Sequence, residues 1–527
     1  MKYEINRRKI VLFFIMILSA LLIVSCSYSR YPQEVQQALD KAGANRAELI
    51  KVLEHYNSPQ DSLKLKAAFY LIANMPGHEY TVFALYDAAG KEVDFNVLDY
   101  PDYKTMVAAW DSIAAKRGEL DFKRKESIKD IEQISADLLI NNIDLAFKVW
   151  MGKSWARPLK FDTFRRFVLP YRGSGEPLEN WRSYFMEKYA YIDSVLAGSR
   201  DVVKAARIIN TDLKSWFKFD SRFYRHPTDQ GLSEMLKTKM GRCEDMANLA
   251  IFAMRANGLA VTSDYTPYWA DAANNHAWNA LLDSSGKAVP FMGSLFNPGE
   301  YTLPNRIAKV YRKTYEYQKA NLIFKVGAKT AVPRWLGGKS YSDVTADYVP
   351  VSDVRLKLER PHADSVRYAY LCVFNTGEWQ AIQWGEITDD SVTFKDMGRD
   401  LAYLPAYYVN KKLIPAAAPF ILTKDGAVKI LNSDSTQKIT VALRSTTKRT
   451  TTQATDSNRK SFLTSGAEYE LFYWADGWIS FGSAKTRGRA ALIFKKVPNK
   501  ALLWLVQKGS KKYERIFIYE DNRQIWY

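Results

Sequence analysis

The stretch Met240-Gly241-Arg242-Cys243-Glu244-Asp245 opens an apolar run, and Asn274-Asn275-His276-Ala277-Trp278-Asn279 follows 33 positions after it. The first reads as a loop feeding a helix, because Met246, Leu249, Ala250, Ala253 and Met254 recur at helical spacing. The second reads as a loop feeding a strand. Such an order holds a thiol at a helix N-terminus and faces it with an imidazole. The thiolate is the reactive form of cysteine, and a helix N-terminus and a cationic imidazole both favour it. The pattern points to acyl transfer at an amide or ester carbonyl, with Cys243 as nucleophile and His276 as base. Glu244 and Asp245 suit the helix dipole yet oppose thiolate formation, so the thiol pKa is open in either direction. A buried small hydrophobe is the plainer reading of Cys243, and a satisfied strand histidine that of His276.

At these residues the chain resembles the transglutaminase-like superfamily, which shares a papain-type core. It is most similar to secreted, often lipid-anchored members common in gut-type Bacteroidetes. The resemblance runs through Gly241-x-Cys243-Glu244-Asp245 to Ala250, then Arg255-Ala256-Asn257-Gly258, then His276-Ala277-Trp278-Asn279. It implies that Cys243 attacks, that His276 acts as general base and acid, and that an Asp or Asn further along orients the ring. The position expected for that third residue falls at or beside Met292, which cannot hold an imidazole tautomer. Asp283 is the carboxylate left for the role, although its place before Ser284-Ser285-Gly286-Lys287 also suits a hairpin turn. Glu300 and Asp271 are further candidates if the fold returns them to the ring.

Around this pair, Tyr265, Tyr268, Trp269 and Trp278 are candidate walls of a substrate cleft, with packing under a loop as the alternative. The backbone N–H of Cys243 is a natural oxyanion donor. Trp216 and Gln230 are candidate second donors.

At the N-terminus, Arg7, Arg8 and Lys9 precede an apolar stretch from Ile10 to Val24, ending in Ile23-Val24-Ser25-Cys26. The stretch is short for a spanning helix, which needs about 20 residues, and suits a signal peptide. Ser25-Cys26 reads as a lipobox, so residues 1–25 are a leader and Cys26 the expected lipidated N-terminus. That places the protein in the cell envelope, with the outer membrane of a Gram-negative bacterium as the expected address. Cys243 and Cys372 remain; Cys372, within Tyr368-Ala369-Tyr370-Leu371-Cys372-Val373-Phe374, reads as core. Five scattered histidines and no Cys-x₂-Cys spacing disfavour zinc. No metal or other cofactor is expected.

The formal net charge is +18, and the leader carries only a small part of it. For an exported chain this fits an anionic membrane surface or acidic glycans, with no nucleic acid expected. Aromatic content of 14% beside 25% charged residues argues against disorder. Length requires several cores. The spacing predicts a helical N-terminal region over 26–177, with segments at Lys64 to Met75, Tyr103 to Ala115 and Ile128 to Leu139. A transglutaminase-like α+β core over 178–335 follows. Short alternating strands then predict β-sandwich-like domains over 343–430 and 431–527, and the last resembles galactose-binding modules. Trp474, Trp478 and Trp526 are candidate sugar-stacking residues, with inter-sheet core as the alternative.

The expectation is therefore a multidomain α+β protein, a lipid-anchored Cys-His enzyme acting on amide bonds of peptides or glycopeptides. Peptide, glycopeptide and polysaccharide are the expected partners. The alternative is a catalytically silent core kept as a glycan- or peptide-binding lipoprotein.

Overall fold

Helices come first because the early apolar residues recur every three or four positions. A computed structural model describes residues 30–327, 330–447, 462–488, 490–510 and 513–527; the leader and the expected lipidation site Cys26 lie outside them. Helices Gln33–Lys41, Arg46–His55, Ser62–Asn74 and Ala136–Gly152 bury Leu39, Leu49, Leu71 and Ile143 in one core with the helices of the central region. The N-terminal region is not wholly helical. Strands Glu79–Tyr86 and Asp121–Lys129 pair antiparallel, and Tyr103–Arg117 forms a helix between them. The expected helix at Ile128 therefore begins only at Asp130, since Ile128 and Lys129 are already paired with Tyr80 and Glu79.

The central region is helix on sheet. Helix Cys243–Arg255 lies against helices Trp181–Lys188 and Val202–Trp216 on one side and strands Val261–Thr266 and His276–Leu282 on the other. It is buried nearly all round, from Asp245 to Arg255 without interruption, as a helix between two layers must be. A five-stranded antiparallel sheet supports it. Its order is Ala288–Phe291, His276–Leu282, Val261–Thr266, Tyr311–Lys313 and Tyr341–Asp343. The last of these strands lies beyond residue 335. It reads in sequence as the approach to the next domain, but Tyr311 pairs with Asp343 and Lys313 with Tyr341, so it closes the edge of the core sheet.

Helix and sheet meet without a gap at Gly293. A Cβ there would stand 2.3 Å from the Met246 carbonyl and 2.7 Å from Ala250 Cβ. Asn279 clamps the same junction. Its Nδ2 donates to the Ala247 carbonyl at 3.0 Å, and its Oδ1 accepts from the Gly293 N–H at 3.0 Å.

After the core the chain turns to β-structure. An eight-stranded sheet spans Val351–Lys357 to Val428–Ile430. Its central strand Tyr368–Asn375 is buried on both faces: Leu371 and Val373 enter one cluster, Tyr370, Cys372 and Phe374 another. Cys372 is thus core and a free thiol. The last region holds a five-stranded sheet, including Glu468–Trp474 and Trp478–Lys485, and the pair Asp434–Leu443 with Leu492–Asn499. The architecture is multidomain α+β, with a helical region and core followed by β-sheet domains.

One apolar cluster joins three of these parts. Tyr265, Ala277 and Tyr311 of the core sheet, Phe374 and Leu404 of the large sheet, and Trp474 and Ile518 of the last region share it.

Candidate active site

Cys243 is the first residue of its helix. In the first turn no carbonyl four residues back exists to take the N–H groups, which leaves them aimed outward. The start is fixed by Asp245, whose Oδ2 accepts from the Arg242 N–H at 2.9 Å while Oδ1 accepts from the Gln230 N–H at 2.9 Å. Burial and the neighbouring Asp229 push the Asp245 carboxyl up to about 6, against the pull of Arg242. Arg242 itself is held by Asp229 at 2.7 Å.

His276 stands at the other wall. The strand pair sets its place, since Thr266 is opposite His276 and the loop 267–275 returns the chain between them. Asn274 takes φ 66°, a left-handed conformation that asparagine tolerates. Its carbonyl accepts from the Trp269 N–H at 3.1 Å, closing the loop. The Trp269 ring stacks on the imidazole, with centroids 5.7 Å apart at 26°.

Both residues line one cavity of about 1120 Å³, together with Tyr224, Glu244, Trp269, Met292 and Tyr301. Neither group bonds directly to the other. The Cys243 thiol donates to Glu244 Oε2 at 3.0 Å, and His276 Nε2 is 2.8 Å from the Tyr301 hydroxyl. Burial raises the thiol pKa well above its ordinary value, and the Glu244 carboxylate raises it further. Arg242 and the Ala277 N–H pull the other way. Burial lowers the imidazole pKa, which Glu244 partly opposes. The resting pair is therefore thiol and neutral imidazole, a form in which the imidazole can accept a proton.

The remaining expected residues separate. Asp283 lies beyond the far end of the His276 strand. At about 3.3 Å per residue, the seven-residue separation puts it far from the imidazole. Its Oδ1 accepts from the Ser285 and Lys287 N–H groups, both at 2.9 Å, which makes it a turn residue rather than the ring's orienting group. Met292 does line the cavity. Glu300 pairs with Arg207 at 3.8 Å, and Asp271 accepts from the Arg306 N–H at 2.8 Å. Tyr268 and Trp269 face the cavity, whereas Tyr265 lines a different hollow. Trp278 is fully buried and donates to the Tyr348 hydroxyl at 3.1 Å, so it supports the strand from within. Gln230 donates to the Met240 carbonyl and Trp216 to Asp212, and neither lines the cavity. Trp526 packs on Phe517 in the last sheet, inside the core.

Two partners were not legible in sequence. Tyr301 reaches His276 from an irregular stretch with no periodicity to mark it. Glu244 stands out only as a charge in a first turn, and that its carboxylate folds back on the sulfur needs coordinates.

A family model described as the transglutaminase-like superfamily matches residues 189–291. No curated protein matches the chain. Among solved structures, a candidate cysteine protease from Cytophaga hutchinsonii is similar over 27% of this chain and 44% of its own, at 19% identity and a TM-score of 0.20. The chain thus spans less than half the length of that relative. A transglutaminase from red sea bream is similar at 8% identity and a TM-score of 0.19, over 86% of this chain and 77% of its own. The match of the family model coincides with the helix and strands that carry Cys243 and His276, and residues 189–291 are a transglutaminase-like, papain-type core domain.

Proposed function

We propose that the protein is a cell-envelope, lipid-anchored acyl-transfer enzyme in which Cys243 attacks the carbonyl of a peptide or glycopeptide amide. The observation that carries this reading is the shared cavity, with the sulfur and a neutral imidazole on its walls. His276 takes the thiol proton as the S–C bond forms, and returns it to the amine as the C–N bond breaks. The thioester that remains is resolved by water or a second amine. Trp269 and Tyr301 hold the ring in the absence of a carboxylate. The Cys243 N–H, in the open first turn, is the donor for the developing oxyanion. Intact mass after treatment with iodoacetamide tests the reading, with one adduct at Cys243 expected. Absence of labelling at Cys243 in the folded protein would refute it.

A second reading has its own support. The thiol is tied to Glu244 and its pKa is raised, the opposite of an activated nucleophile. On that reading the core is a silent binding module. A labelled but non-acylating Cys243, tested with p-nitrophenyl acetate, favours it.

A further inference from the structure

The Cys243 cavity does not end at the core domain. Tyr268 and Arg334 line it and also line a second hollow of about 720 Å³. That hollow lies between the eight-stranded sheet and the hairpin of Glu468–Trp474 and Trp478–Lys485. Its floor is aromatic. Trp379 meets Trp474 edge to face, with centroids 5.7 Å apart at 81°, and Trp474 meets Trp478 at 5.1 Å and 88°. Phe374 locks both outer indoles from behind, at 5.5 and 5.7 Å. Trp379, Trp478 and Tyr408 are only half-buried, so ring surface is left toward the groove. A floor interlocked in this way is set before any ligand arrives, which lowers the entropy cost of binding.

The rim is charged, and unevenly so. Lys411 and Lys412 are exposed at the turn after strand Leu401–Val409, where Asn410 and Lys411 take φ 51° and 62°. Arg334, also exposed, lines the same hollow. None of these three cations has a carboxylate partner among the described residues. Of the two rim acids, Asp476 is taken up by Arg360 at 2.5 Å, leaving Glu378. The groove therefore offers flat apolar faces below and unpaired positive charge above.

We propose that this groove binds a carboxylate-bearing saccharide, and that the same chain continues past Tyr268 and Arg334 to present an amide to Cys243. The second half rests on the acyl-transfer reading above; the first does not. A sugar ring has a C–H face that packs on an indole and an edge of hydroxyls that reaches a polar rim. Its carboxylate meets Lys411 and Lys412 as charge-assisted hydrogen bonds. Three cations beside an aromatic floor match isolated carboxylates better than the continuous phosphate ladder of a nucleic acid, which needs a longer basic track.

The test is binding of the full chain to an array of uronate- or sialate-containing oligosaccharides, neutral oligosaccharides and single-stranded DNA. Retention of the acidic sugars is expected, weakened about tenfold or more in the Lys411→Ala, Lys412→Ala double variant and in Trp478→Ala. Because Trp478 packs on Phe374, the exposed lysine pair provides the arm that does not threaten folding. No retention of acidic sugars, equal retention of neutral sugars or DNA, or indifference to the lysine pair would overturn the proposal. Alkylation of Cys243 is read on the same samples. Labelling without sugar binding removes the groove alone; sugar binding without labelling removes the thiol reading alone.

Discussion

Replacing Glu244 by Gln should make Cys243 more reactive at neutral pH. The carboxylate accepts the thiol hydrogen at 3.0 Å and opposes ionisation of the sulfur by charge. Two unit charges about 4 Å apart, at an effective dielectric near 20, repel by about 4 kcal/mol. Part of this is already cancelled. Arg242 Nε lies 3.7 Å from the same oxygen, and the Glu244 side chain is 26% exposed. A net release of about 1.4 kcal/mol remains reasonable, and that is a tenfold rise in thiolate fraction at fixed pH. A thiolate of lower basicity is also a weaker nucleophile, with a Brønsted slope of about 0.4–0.5, which returns about threefold. The observed alkylation rate should therefore rise about threefold at neutral pH. The assay is the iodoacetamide rate from pH 6 to 10, read by intact mass. The wild-type rate climbs only on the alkaline side, because the thiol is held protonated until pH exceeds a raised pKa, and the variant's climb begins earlier. Superimposed profiles would show that Glu244 does not hold the proton. A slower variant would show more, that the carboxylate accepts the proton during attack.

Tyr301→Phe removes the hydroxyl at His276 Nε2 and should slow acylation by p-nitrophenyl acetate about tenfold, with circular dichroism unchanged; wild-type rates would exclude Tyr301 from positioning the ring. Asp283→Ala should leave that rate within about twofold while costing about 1 kcal/mol in urea unfolding, because its oxygen serves only the turn's own N–H groups and the Ser285 hydroxyl. Gly293→Ala drives a methyl into the Met246 carbonyl and should destabilise the core by about 3 kcal/mol, read as a lowered first unfolding midpoint. Asn375→Ala strips the donor that its Nδ2 presents to the Trp269, Ala272 and Asn274 carbonyls, and should speed limited proteolysis within 267–275.

What could be read in the sequence follows how local each signal is. Helix Cys243–Arg255 was legible because its apolar spacing and its Gly241 break lie within one stretch, and strand His276–Leu282 because its alternation does. The strand Glu79–Tyr86 is not legible because its partner, Asp121–Lys129, is remote in the chain and its two buried residues, Ala84 and Leu85, are adjacent, so no alternation reaches the sequence. Asp283 shows the same limit from the other side. Spacing along a chain measures distance along a strand, and a carboxylate past the far end of a strand cannot return to its start. The residue that does return, Tyr301, comes from a segment with no regular structure, whose path is set by contacts such as that of Phe296, 5.7 Å from the Tyr301 ring.

The later domains belong to the site's construction. The loop that delivers His276 has few bonds of its own, and its carbonyls are taken by residues far down the chain. Asn375 Nδ2 lies 3.0 Å from the Trp269 carbonyl and 2.9 Å from that of Ala272, while Arg515 donates to the Ala270 carbonyl at 2.5 Å and to the Tyr527 carbonyl at 3.0 Å. Arg515 is 5% exposed and hydrogen-bonds no side-chain carboxylate among the described residues, and burial depresses its pKa to about 10, against the pull of Asp271. A guanidinium costs much to bury in this way, and here its hydrogens go to carbonyls of three separate segments. That expense is understandable if the histidine loop must keep one shape against the thiol helix. The β domains thus fix the loop that carries His276 through Asn375 and Arg515 while also walling the aromatic groove beside it, so the position of the imidazole and the shape of the groove depend on the same interdomain contact.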